Sequence, residues 1–150
     1  MRKLITAMAL FMLTGTMSFA GPGPVDVKVS KFIQAQLMEA FPDAEHVSWD
    51  KMGDYYLARF TNSMGTITAY LDEDGAIYKV ARYIDTNSLP LAVQRSLNEK
   101  YDLKENETVL EVTRNNNQTY YLVSFEHQNR KYIVESDLTG NLKVVKKSKV

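Results

Sequence analysis

Cysteine is absent from this sequence of 150 residues, and charge of neither sign is in excess. Without cysteine the chain can form no disulfide, thiolate nucleophile, thiolate-ligated zinc site or acylated-cysteine lipid anchor. Lys and Arg together number 18, as do Asp and Glu, whereas a dedicated nucleic-acid-binding protein needs surplus positive charge for phosphate contacts. Glycine and proline are too few for a collagen-like or disordered chain. The remaining class is a compact domain of ordinary size with no nucleic-acid partner.

Signatures of catalysis are also missing. His46 and His127 are the only histidines, and neither lies in a ligand spacing such as H-E-x-x-H. The sequence contains no G-x-S-x-G, P-loop or G-x-G-x-x-G motif. The acidic run Asp72–Gly75 resembles the start of a calcium loop, but Tyr83 occupies the position of the required glutamate, so a hairpin turn is the better interpretation. We therefore expect no catalytic residue, no cofactor and no metal site, and we predict that the protein is not an enzyme.

One long hydrophobic run is present, and it lies at the N-terminus. Arg2 and Lys3 precede the apolar segment Leu4–Leu13, which is too short for a bilayer span of about 20 residues. Small residues follow at Ser18 and Ala20, the two positions that a signal peptidase reads. Residues 1–20 are therefore predicted to be a signal peptide. The mature chain is expected to be periplasmic or secreted, with no membrane anchor.

Two stretches of the remaining chain share one pattern. In each, apolar residues at helical spacing come first, and short alternating runs separated by turn residues follow. A shift of 65 residues superimposes positions 47–77 on the second stretch without a gap, and a shift of 60 superimposes the helical segments. The difference places five extra residues in the polar turn 104–108. The pairs matched at the shift of 65 include Val47 with Val112, Trp49 with Arg114, Tyr55 with Tyr120, Asp72 with Asp137 and Gly75 with Gly140.

The repeated pattern predicts an α+β fold: a tandem repeat of one helix plus a four-stranded antiparallel meander. Residues 21–150 would form a single domain of two repeats, about 29–84 and 88–148. Ser30 is the predicted N-cap of the first helix, and Asn87-Ser88 the predicted start of the second, with proline in its first turn. The predicted strands of the first repeat are 46–50, 54–61, 66–71 and 76–83.

Comparison of the two repeats also assigns the faces of the sheet. Alternate positions that are apolar in both repeats should face the helices; they are Tyr56, Ala58 and Phe60, matched with Tyr121, Val123 and Phe125. The other face is predicted to be open, although the fourth strand of each repeat resolves to neither register. Aromatic and arginine side chains among adaptable polar groups are typical of protein-binding surfaces, but tyrosine is also simply common in strands. The candidate partner-binding residues on the open face are Tyr55, Leu57, Arg59, Tyr70, Tyr120 and Leu122.

Four motifs carry a resemblance to a known family. They are Val-x-Trp at 47–49, Tyr-Tyr-x-Ala-x-Phe at 55–60, Ala-Tyr-Leu-Asp-Glu-Asp-Gly at 69–75 and Leu-Pro-x-x-Val at 89–93. With an export signal in front, the chain resembles the PepSY-like, or beta-lactamase-inhibitor-like (BLIP-like), periplasmic proteins of Gram-negative bacteria. The resemblance implies tandem helix-plus-four-strand repeats whose sheets form a concave surface. It does not carry beta-lactamase inhibition across, because the inhibitor contains disulfides and this chain has none, and because Arg114 replaces Trp49 in the second repeat.

The expected function is that of an exported, non-catalytic binding module that engages a protein or peptide in the periplasm through the open face. Two alternatives stay open at this point: an enzyme with an unrecognised acid–base site, and a sensor of a small ligand or of envelope stress. A continuous aromatic patch would favour a protein partner, whereas a deep pocket with convergent polar groups would favour a small ligand or substrate.

Overall fold

A computed structural model describes residues 27–103 and 107–150. The predicted signal peptide lies outside the described residues. Within those ranges the chain forms two α-helices and eight β-strands, together with a 3-10 turn at Thr86–Ser88. In chain order they are α1 (Lys31–Ala40), β1 (Glu45–Met52), β2 (Tyr55–Asn62), β3 (Gly65–Leu71), β4 (Ile77–Ile84), α2 (Leu91–Tyr101), β5 (Thr108–Arg114), β6 (Thr119–His127), β7 (Arg130–Asp137) and β8 (Leu142–Lys149).

All eight strands belong to one antiparallel sheet, and their spatial order is their order in the chain. Each strand pairs with its sequence neighbours, and β4 pairs with β5 from Lys79–Arg114 to Ile84–Val109. The predicted α+β class and the antiparallel pairing are therefore confirmed. The strands of the first half run one or two residues beyond most of their predicted ends.

The first helix begins where the sequence indicates. The side chain of Ser30 accepts a hydrogen bond from the backbone N–H of Ile33 at 3.2 Å, which satisfies one of the unpaired donors of the first turn. Ile33 and Leu37 point into the core, and the helix ends at Ala40, two residues before Pro42. Proline has no backbone N–H to donate to the preceding turn, so the helix cannot continue through Pro42 without losing a hydrogen bond.

The predicted start of the second helix is wrong. Asn87 and Ser88 belong to the 3-10 turn, and α2 begins at Leu91 with Pro90 as its N-cap. Leu89 between them is extended, with φ −64° and ψ 146°. A residue before proline is driven out of the helical region by the proline ring, so Pro90 separates the 3-10 turn from α2.

Two apolar cores lie on the helix side of the sheet, one beneath each helix. Ile33 and Leu37 of α1 pack with strand residues that include Ala58 and Phe60. The second core joins α2 to β5, β6 and β7; its buried members are Leu89, Val93, Leu97, Tyr101, Val109, Tyr121, Val123, Phe125, Tyr132 and Val134. The predicted helix-facing set is therefore confirmed in both halves.

A β-bulge in each half explains why alternation alone does not decide the register of the fourth strand. Tyr70 pairs with Lys79, but the next pair is Leu71 with Ile77, so Tyr78 has no partner of its own. An equivalent shift occurs between β7 and β8. A bulge inserts one residue and reverses the alternation of side chains beyond it, so no single in–out pattern fits either strand.

Candidate binding face

The sheet face opposite the helices contains the candidate residues. We call it the aromatic face, and define it by its apolar cluster and the charged side chains beside that cluster. The cluster consists of strand residues only, with no helix residue among its members. Its buried members are Leu57, Tyr70, Ala81 and Val112; packed against them are Met52, Tyr55, Leu110, Tyr120 and Leu122.

The structure brings five of the six predicted residues into this one cluster. The sixth, Arg59, is exposed and lies close enough to Tyr70 for its charge to act on that phenol. The cluster crosses the midline of the sheet, because Ala81 of β4 pairs with Val112 of β5. Both halves of the chain therefore contribute to one surface.

The centre of the aromatic face is less open than the sequence suggested. Leu57 retains only 3% of its accessible surface and Tyr70 only 9%. Tyr55, Tyr120 and Leu122 are half-buried. The reachable part of the predicted set therefore consists of the exposed Arg59 and the half-buried Tyr55, Tyr120 and Leu122.

Two cationic side chains that the sequence pattern did not single out lie at the middle of this face. The ammonium of Lys79 is 4.1 Å from the ring centroid of Tyr70, and the guanidinium carbon of Arg114 is 4.7 Å from that of Tyr120. Cations over aromatic faces are attracted by the ring quadrupole. Lys79 and Arg114 are also direct partners across the β4–β5 pairing.

A further tyrosine reaches the face through the bulge in β4. The rings of Tyr78 and Tyr55 have centroids 5.3 Å apart and planes inclined by 31°. This separation is within the range of favourable aromatic pairs. Tyr78 was missed because simple alternation does not predict where the extra residue of a bulge points.

Burial changes the ionisation of the central groups. It raises the pKa of the Tyr70 phenol, with a contribution from Tyr120, while the charge of Arg59 opposes the rise. Burial also raises the pKa of Tyr120, and Arg114 opposes that rise. The pKa of Lys79 is lowered, first by burial and then by the charge of Arg114. The face therefore presents protonated phenols, which donate hydrogen bonds, beside two adjacent cations.

Neither central cation has an acidic partner among the described residues. Lys51 pairs with Glu73 at 3.6 Å and Arg82 with Glu111 at 2.6 Å, whereas neither Lys79 nor Arg114 joins an ion pair with a described residue. Within the described ranges, no group of three or more His, Asp or Glu side chains is placed to hold a metal.

The eight-stranded antiparallel sheet with two helices on one side defines a class, the α+β proteins of BLIP-like architecture. A BLIP-like protein from Bacteroides fragilis superimposes with a TM-score of 0.69 at 21% identity, covering 83% of this chain and 88% of that chain. A DUF2874 family protein from Bacteroides uniformis gives 0.72 at 20% identity, with coverage of 82% and 91%. A "putative periplasmic" protein from Bacteroides eggerthii gives 0.72 at 16% identity, with coverage of 82% and 90%.

These similarities confirm the BLIP-like α+β fold, and at such identities they extend to the fold alone. No family model matches the chain, and no curated relative does either. None of the helices in the described residues is long and apolar enough to cross a membrane.

Proposed function

We propose that the protein is an exported, non-catalytic binding module that engages a protein or peptide in the periplasm through the aromatic face. The observation that carries the proposal is the cluster of rings and cations that no described helix covers. Tyrosine and arginine are the residues that most often anchor protein interfaces, where they lie beside a desolvated apolar centre. The cluster has that composition.

Export is supported by two independent features. The basic start, short apolar run and small residues of positions 1–20 have the pattern of a signal peptide. One protein of the same fold is described as "putative periplasmic". We therefore assign the mature chain, from about residue 21, to the periplasm or the secreted fraction.

The domain organisation that we propose is a single domain of two repeats, about 29–84 and 88–148. Its support is the element order, in which a helix followed by four strands occurs twice. In each half, the turn between the last two strands contacts the helix of that half. Gly75 lies against Gln36 of α1, and Gly140 lies against Ala92 and Ser96 of α2.

A non-catalytic role is supported by the chemistry of the face. The phenols of Tyr70 and Tyr120 are protonated at neutral pH, and burial, which raises the pKa of both, makes their ionisation still less favourable. Such groups donate hydrogen bonds but are poor bases and nucleophiles at neutral pH. The face therefore suits recognition better than proton transfer.

Capture of proteins from periplasmic extract by defined variants tests the proposal. Arg59→Ala, Tyr55→Ala and Tyr120→Ala remove reachable parts of the face, whereas Leu57 and Tyr70 are buried and unsuitable. Truncating a central interface residue often weakens binding by about 2 kcal/mol or more, or roughly 30-fold. Because Arg59 is exposed, Arg59→Ala should change the free energy of unfolding by no more than about 0.5 kcal/mol.

The matched control is Leu91→Ala, because Leu91 is 77% exposed on α2, on the other side of the sheet. The proposal requires a partner that wild type and Leu91→Ala capture and that Arg59→Ala loses at an unchanged melting temperature. A partner retained by all three aromatic-face variants would contradict it.

A further inference from the structure

The pairing of Lys79 with Arg114 is electrostatically unfavourable as it stands. The two residues are directly opposite each other on neighbouring antiparallel strands. Like charges in this arrangement destabilise a sheet, and partial burial strengthens their repulsion. Glu135 on β7 is near enough to act on Tyr120, yet no acidic oxygen of the described residues lies within 4.0 Å of either cation.

One other stacked cation of the same sheet is neutralised within the chain. Lys51 stacks on Tyr56 at 4.9 Å, much as Lys79 stacks on Tyr70, but Lys51 also pairs with Glu73 at 3.6 Å. The contrast shows what the centre of the aromatic face lacks. It has the stacked cation but no carboxylate of the described residues within 4.0 Å of it.

We propose that Lys79 and Arg114 together bind the carboxylate of an Asp or Glu side chain in the partner segment. This inference rests on the proposed function of the aromatic face. A guanidinium and an ammonium side by side offer several N–H donors to the two oxygens of a carboxylate. A carboxylate placed between Lys79 and Arg114 relieves their mutual repulsion. Binding of the carboxylate should therefore release more free energy here than at an ordinary exposed ion pair.

The surroundings favour a protein carboxylate over a phosphate-rich ligand. Leu122 and the Tyr120 ring beside Arg114 are half-buried and supply the reachable apolar surface of the cluster, which suits an acidic residue flanked by apolar ones. A nucleic acid or an anionic lipid surface is bound by extended sets of cations. Here the acidic Glu135 lies close to Tyr120 and its stacked Arg114, which disfavours a surface of many negative charges.

Selection from a random-peptide phage library tests the inference even while the natural partner is unidentified. The baits are the exported mature protein and its Lys79→Met, Arg114→Met and Lys51→Met variants. Methionine keeps an apolar stem over the tyrosine ring and removes the charge. Wild type and Lys51→Met should both enrich peptides with Asp or Glu beside apolar residues, whereas Lys79→Met and Arg114→Met should lose the acidic preference.

A selected peptide then gives a quantitative readout. Replacing its Glu by Gln should weaken binding to wild type about 10- to 100-fold, the range expected for hydrogen bonds to a charged group. The same replacement should hardly affect binding to Lys79→Met. Lys79→Met should also keep or raise the melting temperature, since it removes a like-charge contact. A clear fall in melting temperature would show that the ammonium is structural and would overturn the inference.

The two proposals fail in distinguishable ways. If wild type selects peptides that Arg59→Ala no longer binds, but without acidic enrichment, the aromatic face is a binding surface and the carboxylate inference is wrong. If no selected peptide depends on any residue of the aromatic face, both proposals are wrong. Equal binding of the Glu and Gln peptides to wild type would also overturn the carboxylate inference alone.

Discussion

Asp137 organises the turn between β7 and β8 almost alone. Its side-chain oxygens accept hydrogen bonds from the backbone N–H of Thr139 at 2.8 Å, the Thr139 hydroxyl at 2.6 Å and the Asn141 amide at 2.7 Å. The backbone N–H of Asn141 donates to it at 3.1 Å. These bonds favour the ionised carboxylate and hold the pKa of Asp137 well below its ordinary value.

Asp137→Asn should therefore alter the pH dependence of stability. A depressed folded-state pKa adds stability above the unfolded value of about 4, and that contribution is lost progressively as the pH falls below it. The free energy of unfolding of wild type should exceed that of the variant at neutral pH, and the gap should narrow below about pH 4. Urea unfolding across that range measures it.

The control is Asp54→Asn, because the Asp54 side chain makes no hydrogen bond or ion pair among the described residues. The difference in free energy of unfolding between Asp54→Asn and wild type should not narrow in the same way below about pH 4. A pH-independent gap for Asp137→Asn would mean that the turn does not depend on the charge.

Side-chain direction could be predicted from the sequence wherever alternation was uninterrupted. Tyr55, Leu57 and Tyr120 were assigned to the correct face because the two halves could be compared at matched positions. Lys79 and Tyr78 were not found, because the bulge opposite Tyr70 breaks that alternation. Burial of Leu57 was also not predicted, since it depends on neighbours contributed by other strands.

Among the elements, the β5–β6 hairpin differs most from its predicted form. Trp49 pairs with Ala58, and Val109 pairs with Val123, so Val109 rather than Arg114 occupies the place of Trp49 in the second half. A shift of 60 then relates the first strands as well as the helices. The five extra residues therefore belong to the hairpin around 113–118 and not to the turn 104–108.

The insertion explains why Arg114 lies opposite Lys79. Arg114 belongs to a hairpin extension that has no counterpart in the first half, and this extension pairs it with Lys79 of β4. The ungapped sequence match hid this insertion because Val112 offers an apolar match to Val47. The odd shift of five residues instead places Val47 against the core of α1 and Val112 on the aromatic face. The central cations therefore became evident only from the strand pairing.

The contact between the β7–β8 turn and α2 predicts that Gly140 tolerates no larger side chain. Gly140 has φ +88°, and a Cβ there would lie 2.6 Å from the carbonyl oxygen of Ala92 in α2. Gly65 has φ +102°, with nothing within 4 Å of its Cβ position. Each glycine-to-alanine change should cost about 1–2 kcal/mol from the left-handed backbone, and Gly140→Ala should cost roughly 1–3 kcal/mol more from the clash.

Urea unfolding of both variants measures the difference, and Gly65→Ala is the control for backbone strain alone. Equal costs would show that the β7–β8 turn moves away from α2 without loss. In that case the contact between turn and helix would contribute nothing measurable to stability.

At the scale of the molecule, the halves have separate cores on one side of the sheet and a shared cluster on the other. The core of α1 and the core of α2 have no buried residue in common. The aromatic face joins them, because Leu57 and Tyr70 of the first half pack in one cluster with Val112 of the second. The surface proposed for binding is thus also the apolar link between the halves.

Cooperative unfolding follows from that link. Leu37 and Leu97 are 1% and 0% exposed under their respective helices, so Leu37→Ala and Leu97→Ala should each cost about 2–5 kcal/mol. If the β4–β5 pairing and the shared cluster couple the halves, each variant lowers the melting temperature of one common transition. Leu91→Ala, which truncates a side chain that is 77% exposed on α2, should leave that temperature nearly unchanged. Calorimetry measures whether the protein unfolds in one transition or in two. Two transitions, each lowered by only one of the two leucine variants, would show that the shared cluster is too weak to couple the halves.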